Sequence, residues 1–195
     1  MIPVKPQSEP SNFFELVQKL GHAFLRVNPR PTDKEWARRD YWRNALPEMS
    51  ISYKRICAYC AQWIPHSTGT HTIDHFIPKS INPNLAYEWS NFRYISSRFN
   101  SRKGVKAILD PFKLEEGWFI LDFASCLIKP NPDLPLDQKR QVLDTIDILK
   151  LNSDELLVQE RQGWIEDLLS GQYTFSFLAE KAPFIASEVL RQGYL

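Results

Sequence analysis

The segment Thr72-Ile-Asp74-His75-Phe-Ile-Pro78-Lys79 combines a short apolar run with an adjacent acid and histidine. The apolar run predicts a strand, and the proline predicts that this strand ends soon after the Asp-His pair. In a strand, Asp74 and His75 point to opposite faces of the pleat. A carboxylate suited to a hard cation and an imidazole suited to moving a proton are therefore presented close together.

Two asparagines, Asn91 and Asn100, follow this pair along the chain. An amide oxygen is a ligand for hard cations, so Asp74 with Asn100 would leave coordination positions for water and phosphate oxygens. Asn91 is expected to hold the imidazole of His75 in one orientation, which a general base requires. Taken alone, each asparagine is more typical of a helix cap or a turn.

The combined pattern resembles the HNH endonuclease family. The matching segments cover about a quarter of the chain: Asp74-His75-Phe-Ile-Pro78-Lys-Ser80, Asn91-Phe92 and Asn100-Ser-Arg-Lys103. The resemblance implies a two-stranded hairpin followed by a helix around one divalent metal ion, Mg²⁺ or Mn²⁺. It also implies His75 as the general base, Asp74 and Asn100 as metal ligands, and Asn91 as the residue that orients His75.

The pattern of the zinc-containing members of that family is incomplete in this chain. Their second cysteine pair would fall at Ser96 and Phe99. Cys57 and Cys60 supply two of the about four ligands that a closed zinc site needs. No spacing of other residues argues for a completed site, so we expect two buried thiols in place of structural Zn²⁺.

A second resemblance concerns biological role. The order Cys-Ala-Tyr-Cys, Asp-His-Phe, Tyr-x-Trp-x-Asn, and Leu151-Asn-x-x-x-Leu156 is similar to bacterial HNH nucleases that serve as effectors in anti-phage systems such as Septu. This resemblance implies an ATPase partner protein. Its docking face is expected on the acidic, helical C-terminal half of the chain.

Composition narrows the classes of protein that are possible. The hydrophobic content of 43% and charged content of 24% are those of a globular protein. No run approaches the ~20 apolar residues that span a bilayer, and the N-terminus lacks the apolar region of a signal peptide. Three cysteines do not form a secreted disulfide framework. We therefore expect a cytoplasmic protein without membrane contact.

Charge is distributed unevenly along the chain. Residues 1–106 hold 16 Lys and Arg against 8 Asp and Glu, whereas residues 107–195 hold 8 against 15. A basic half that carries the Asp-His motif predicts a nucleic-acid-binding face. Balancing of charge for solubility would give the same distribution. The predicted phosphate contacts are Lys79, Arg93, Arg98, Arg102 and Lys103.

The predicted fold class is α+β, mainly α, with a ββα-metal core embedded in a helical scaffold. We expect a flexible arm at 1–11, N-terminal helices at 12–56, the HNH core at 57–106 and a helical C-terminal scaffold at 107–195 that forms one globular unit with the core. In the N-terminal part we predict a helix from Thr32 to Ala45 that is ended by Pro47. In the core we predict a hairpin that pairs 62–64 with 71–76, followed by a metal helix from Asn91 to about Lys106. In the scaffold we predict a strand at 117–123, a proline-rich linker at 129–136, and helices at 137–150, 154–169 and 173–190.

Together these features indicate a metal-dependent endonuclease that hydrolyses phosphodiester bonds, with DNA favoured over RNA as its substrate. The alternative is a catalytically inactive HNH-like module that binds nucleic acid or protein. The absent second cysteine pair favours that alternative. The intact set of Asp74, His75, Asn91 and Asn100 argues against it.

Overall fold

The chain adopts an α+β fold in which helices predominate, and this confirms the predicted class of α+β, mainly α, whereas the ββα-metal core stays a prediction. The structure, a computed structural model, describes residues 1–194. It divides into two compact units. The motif unit comprises residues 6–55 and 64–105, and the C-terminal unit comprises residues 1–5, 56–63 and the chain from Lys106 onward. The domain boundaries predicted from the sequence stay a prediction.

The motif unit begins with short helices and ends with a sheet and a helix. Its helices are a π-helix at Phe14–Gln18, α1 (Lys19–Val27), α2 (Asp33–Trp36), a 3₁₀ helix at Tyr41–Ala45 and α3 (Leu46–Ser52). Strand β1 (His71–His75) pairs with β2 (Phe92–Ser96), and α4 (Ser97–Lys103) follows directly. The loop between the strands contains 3₁₀ turns at Pro83–Leu85 and Trp89–Asn91.

The pairing of β1 differs from the sequence prediction. Its antiparallel partner is β2, with Asp74 opposite Arg93 and His75 opposite Phe92, and residues 62–64 do not form the other strand of this sheet. The segment after Asn91 therefore starts as a strand, and the helix predicted there covers Ser97–Lys103 alone. The aromatic and β-branched residues of Phe92-Arg-Tyr-Ile favour an extended, half-buried segment.

The helix predicted from Thr32 to Ala45 is interrupted. Thr32 and Glu35 form a capping box that starts α2. Arg38 then takes a positive φ of 62°, which ends the helix. Pro47 lies in the first turn of α3, where its missing N–H is not needed, so it begins a helix and does not end one.

The C-terminal unit contains a second small sheet and four helices. Strand β3 (Phe119–Asp122) pairs antiparallel with β4 (Leu127–Pro130), so part of the predicted linker is a strand. The helices are α5 (Leu136–Leu149), α6 (Glu155–Leu169), α7 (Phe175–Lys181) and α8 (Pro183–Arg191). These helices lie where the apolar periodicity predicts them.

Residues 1–5 make contacts within the C-terminal unit and Gln7 makes one within the motif unit, while the flexible arm expected at 1–11 stays a prediction. In the C-terminal unit, Met1 is buried and the Val4 amide donates to the Pro111 carbonyl over 2.8 Å. In the motif unit, the Gln7 carbonyl accepts from Trp89 Nε1 over 2.8 Å. The prolines of the segment keep it extended while it makes these bonds.

Among the described residues, no helix has the length and apolar character that would let it cross a membrane.

The packing of Gly21 against Tyr87 gives a first prediction. A Cβ at this position of α1 would lie 2.1 Å from Tyr87 Cγ, and Tyr87 is fully buried. We expect Gly21→Ala to lower the free energy of unfolding by about 1–3 kcal/mol through overpacking, measured by urea denaturation. The control is Gly163→Ala in α6, where a Cβ meets open space and should stabilise by up to about 1 kcal/mol. Equal stability of the two variants would contradict this packing.

Candidate active site

Asp74 and His75 are the last two residues of β1 and face opposite sides of the sheet. The Asp74 side chain is buried, with 3% of its surface exposed. The His75 ring packs edge-on against Trp42, with 4.8 Å between ring centroids, and against Phe92, with 5.4 Å. These edge-on contacts fix the plane of the imidazole.

A hydrogen bond defines which nitrogen of His75 carries the proton. Nε2 lies 2.8 Å from the carbonyl oxygen of Ala86. Because a carbonyl oxygen only accepts, Nε2 must donate, and the lone pair of the neutral ring is on Nδ1. Burial, with smaller contributions from the nearby Lys79 and Lys103, lowers the pKa of His75 to about 4 against the opposing effects of Ala86 and Asp74. His75 is therefore a neutral imidazole at pH 7 with Nδ1 as its basic atom.

Asn91 acts on the backbone of the loop between the strands. Its Oδ1 accepts from the Ile77 amide over 2.8 Å, and its Nδ2 donates to the carbonyls of Ile77 and Leu85 over 3.0 and 3.1 Å. Ala86, whose carbonyl accepts from His75, is the residue after Leu85. Asn91 therefore fixes the carbonyl next to the one that holds the imidazole, without a hydrogen bond to the ring itself.

The Asp74 carboxylate is paired with a buried ammonium group. Lys103 Nζ lies 3.3 Å from Asp74 Oδ1, 3.1 Å from Oδ2 and 3.1 Å from the His75 carbonyl oxygen. Lys103 is 1% exposed. Three oxygens thus surround one ammonium group, which has three N–H bonds to donate.

The assignment of Asp74 and Asn100 as metal ligands stays a prediction. Asp74 is buried at the end of β1, and Asn100 is exposed on α4. Within residues 1–194, no three or more His, Cys, Asp and Glu side chains form a group that could hold a metal ion. In this arrangement the site does not fit Mg²⁺ or Mn²⁺, because Lys103 already supplies the positive charge.

Lys79 lies between two indole rings near His75. Its ammonium group is 4.5 Å from the centroid of Trp36 and 4.7 Å from that of Trp42. Among the described residues, no oxygen accepts a hydrogen bond from this group. Burial lowers the pKa of Lys79, against the effects of Asp33 and Asp40. Lys79 is thus a partly buried cation held by ring faces, with N–H groups available to an anion.

The other predicted phosphate contacts divide into exposed and buried residues. Arg98 is exposed, and Arg102 is partly exposed above the Phe99 ring. Arg93 and Lys103 are buried, with 3% and 1% of their surfaces exposed, and their contact with nucleic acid stays a prediction. Arg93 donates to the carbonyls of Ser90 and Phe92.

Cys57 and Cys60 belong to the C-terminal unit, whereas Asp74, His75 and Asn91 belong to the motif unit. A hydrogen bond between the two thiols, followed by burial, raises the pKa of Cys60 well above its usual value. The Cys60 thiol is therefore protonated at neutral pH, and the question of zinc stays a prediction.

Trp42 is the site residue that the sequence did not identify. It contacts both His75 and Lys79, so it joins the imidazole to the cation. The sequence signal for it was the alternation of aromatic and basic residues from Trp36 to Arg43. Such an alternation is typical of a nucleic-acid-binding surface, but it is also typical of a helix with aromatic residues in the core and arginines in solvent. Trp36 is indeed buried, and Trp42 is partly exposed.

The fold and the site thus define an α+β protein in which a neutral histidine, a buried acid and two lysines meet at the end of a strand. Comparison with known proteins identifies a relative: the chain is 29% identical over 166 residues to Septu protein PtuB of Bacillus thuringiensis. The match covers 83% of this chain and 58% of the relative, so the chain spans about three fifths of that protein's length. No family model matches the chain. The expected resemblance to a Septu protein is therefore supported, at low identity.

The three hydrogen bonds that the Asn91 side chain makes to the backbone of Ile77 and Leu85, called here the Asn91 clamp, give a second prediction. In Asn91→Asp, the carboxylate cannot donate, so the carbonyls of Ile77 and Leu85 lose their partner and a charge is buried. We expect the free energy of unfolding to fall by about 2–4 kcal/mol. Asn84→Asp, at an exposed position in the same loop, is the control and should change stability little. Both are measured by urea denaturation at pH 7, and an Asn91→Asp variant as stable as the control would exclude the clamp.

The pKa of His75 gives a third prediction. The folded state holds this pKa at about 4, below the unfolded value of about 6.5, so the folded state binds the proton more weakly. His75 therefore costs no stability above pH 6.5, and its cost grows as the pH falls towards 4, to about 3 kcal/mol. The difference in unfolding free energy between the wild type and His75→Gln should shift by that amount between pH 7 and pH 4. A constant difference would show that His75 titrates normally.

Proposed function

We propose that this chain is an anti-phage defence protein of the Septu type that hydrolyses phosphodiester bonds in nucleic acid, with DNA as the favoured substrate. Similarity to Septu protein PtuB supports the defence role. The observation that carries the chemistry is the hydrogen bond from His75 Nε2 to the Ala86 carbonyl, which leaves a basic Nδ1 at the end of β1.

His75 would act as the general base. Nδ1 takes a proton from a water molecule as the oxygen of that water bonds to phosphorus, and the P–O bond to the leaving sugar oxygen breaks. That oxygen leaves with the electron pair and takes a proton from solvent, while the Ala86 carbonyl stabilises the imidazolium that forms. The aromatic contacts with Trp42 and Phe92 keep the ring in one orientation during this transfer. A positioned base of this kind contributes about 10²–10⁴-fold to the rate.

Lys79 would attract and position the phosphate. The faces of Trp36 and Trp42 hold its ammonium group, so its N–H groups can donate to phosphate oxygens. The motif unit as a whole supports this role, since it contains 14 Lys and Arg against 8 Asp and Glu. Its positive field favours association with a polyanion.

The resemblance to HNH endonucleases also implies dependence on a divalent metal. Because Lys103 holds both Asp74 oxygens, we assign no step of the hydrolysis to a metal ion. Metal dependence remains part of the proposal and is tested directly below.

We further propose that an ATPase partner docks on the C-terminal unit. This unit contains 10 Lys and Arg against 15 Asp and Glu, and it carries the exposed apolar side chains of Leu136, Leu156 and Leu169. An acidic surface with exposed leucines suits a basic protein partner with an apolar patch. The Septu relative is longer than this chain, so the partner proposal concerns the shared segment.

A catalytically inactive binding module is the second candidate function. The ion pair between Asp74 and Lys103 favours it, because the carboxylate that a nuclease would use is already neutralised. In that case the basic motif unit would bind nucleic acid or a protein without cutting.

Cleavage assays decide between these functions. Plasmid DNA and total RNA are incubated with the chain in Mg²⁺, Mn²⁺ or EDTA, with and without a co-expressed ATPase neighbour. We expect cleavage that needs metal and that falls about 10²–10⁴-fold in His75→Ala. The matched control is His22→Ala, which alters an exposed histidine of α1 that is hydrogen-bonded to Glu88. This variant should cleave at the wild-type rate.

Other outcomes have distinct meanings. Cleavage that persists in His75→Ala would remove the proposed base. Nucleic-acid binding without cleavage under every condition would establish the binding module. Loss of activity in Asn100→Ala, together with unchanged stability, would show that this exposed amide acts in the reaction.

A further inference from the structure

We propose that Lys103 is an internal cation that holds the place of a divalent metal at Asp74, so that the resting chain excludes metal until the ammonium group is drawn away. This inference rests on the proposed nuclease function, because it concerns the same carboxylate. The resemblance implies that a metal ion supplies the positive charge at Asp74. In this inference the ammonium group of Lys103 supplies it.

The geometry around Lys103 is that of a filled cation site. Both oxygens of Asp74 and the carbonyl oxygen of His75 lie 3.1–3.3 Å from Nζ. All of the ammonium donors can therefore find oxygen acceptors. The Phe76 ring, whose centroid is 5.7 Å from Nζ, adds an aromatic face beside the group.

An ammonium group and a divalent metal cannot share this position. Mg²⁺ would lie about 2.1 Å from a ligand oxygen, and Asp74 offers the same two oxygens to both cations. Asp74 provides one negative charge, and within the described residues no group of three or more ligand side chains adds to it. Two further positive charges beside a buried ammonium would repel it strongly.

The position of Lys103 allows the group to leave. It is the last residue of α4, and Gly104 ends the helix with a positive φ of 52° in open space. The residues that follow, Gly104 and Val105, are exposed. A flexible four-carbon side chain at a helix end can turn outward when another anion replaces Asp74 as its partner.

A phosphate group of bound nucleic acid is the anion that would draw Lys103 out. The ammonium groups of Lys79 and Lys103 both lie near enough to His75 to lower its pKa, and Lys79 is the residue proposed to position phosphate. Substrate would then admit the metal, and a chain without substrate would stay metal-free. Such an order protects the cell from an unselective nuclease.

Titration calorimetry with Mn²⁺ tests this inference without any cleavage measurement. Three proteins are compared: the wild type, Lys103→Met, and the double variant Asp74→Asn with Lys103→Met. Removal of the competing charge should tighten Mn²⁺ binding by at least about tenfold in Lys103→Met. The double variant should lose that gain, because the carboxylate is gone. Equal affinity of Lys103→Met and the wild type, or no binding by either, would overturn the inference.

Loss of a buried ion pair could unfold Lys103→Met, so a second variant and a measurement on the wild type are needed. Lys103→Gln keeps hydrogen-bond donors without the charge and should also bind Mn²⁺ more tightly. In the wild type, the ¹⁵N signal of the Lys103 ammonium, identified by its loss in Lys103→Arg, should stay unchanged on addition of Mg²⁺ alone. It should move when Mg²⁺ and a short oligonucleotide are added together. A shift with Mg²⁺ alone would contradict metal exclusion.

These outcomes separate the two proposals. If Lys103→Met binds Mn²⁺ tightly while no variant cuts nucleic acid, the proposal of an internal cation is supported and the proposed nuclease function is contradicted. If the wild type cuts nucleic acid and Lys103→Met binds Mn²⁺ no more tightly than the wild type does, the proposed nuclease function is supported and the proposal of an internal cation is contradicted. His22→Ala, at an exposed histidine outside the site, should leave Mn²⁺ binding at the wild-type level in either case.

Discussion

The side chain of Asn91 is the constraint on which the site depends. Strands β1 and β2 are separated by sixteen residues, too many for a tight hairpin turn to set their register. Three hydrogen bonds from one buried amide tie the start of this loop, at Ile77, to its later part, at Leu85. The Ala86 carbonyl is thereby fixed in the position where His75 can donate to it. Asn91 thus acts on the imidazole through the backbone: it holds the loop, and the hydrogen bond from His75 to the Ala86 carbonyl defines the tautomer.

The charges around His75 are arranged in an unusual balance. Two ammonium groups lie near a neutral ring, but different partners compensate them. Lys103 is matched by a carboxylate, whereas Lys79 is held by the faces of two indoles and keeps its attraction for anions. The first cation is therefore neutralised within the chain, and the second contributes to the field outside it. This division lets one site hold a buried acid while it leaves one ammonium group available to an anion.

The sequence predicted those parts of the fold that local patterns determine. Helices α5 and α6 were found because their apolar residues repeat with helical spacing and Asp154 caps the second of them. The partner of β1 was missed, since pairing across a long loop leaves no local signal. Asp74 and His75 were identified as neighbours, whereas the burial of Arg93 and Lys103 was not. A long basic side chain can turn inward when a ring or a carboxylate receives it, and its own position in the chain does not reveal this.

The path of the chain between the two units has a consequence for its synthesis. Residues 56–63 belong to the C-terminal unit, yet they interrupt the motif unit between Arg55 and Ile64. Within the C-terminal unit, the Trp63 amide donates to the carbonyl of Lys181, a residue that leaves the ribosome more than a hundred positions later. The nascent chain therefore exposes the Trp63 amide before the carbonyl of Lys181 has been made. A fragment that stops after α4 would lack Lys181, so it could not form this hydrogen bond.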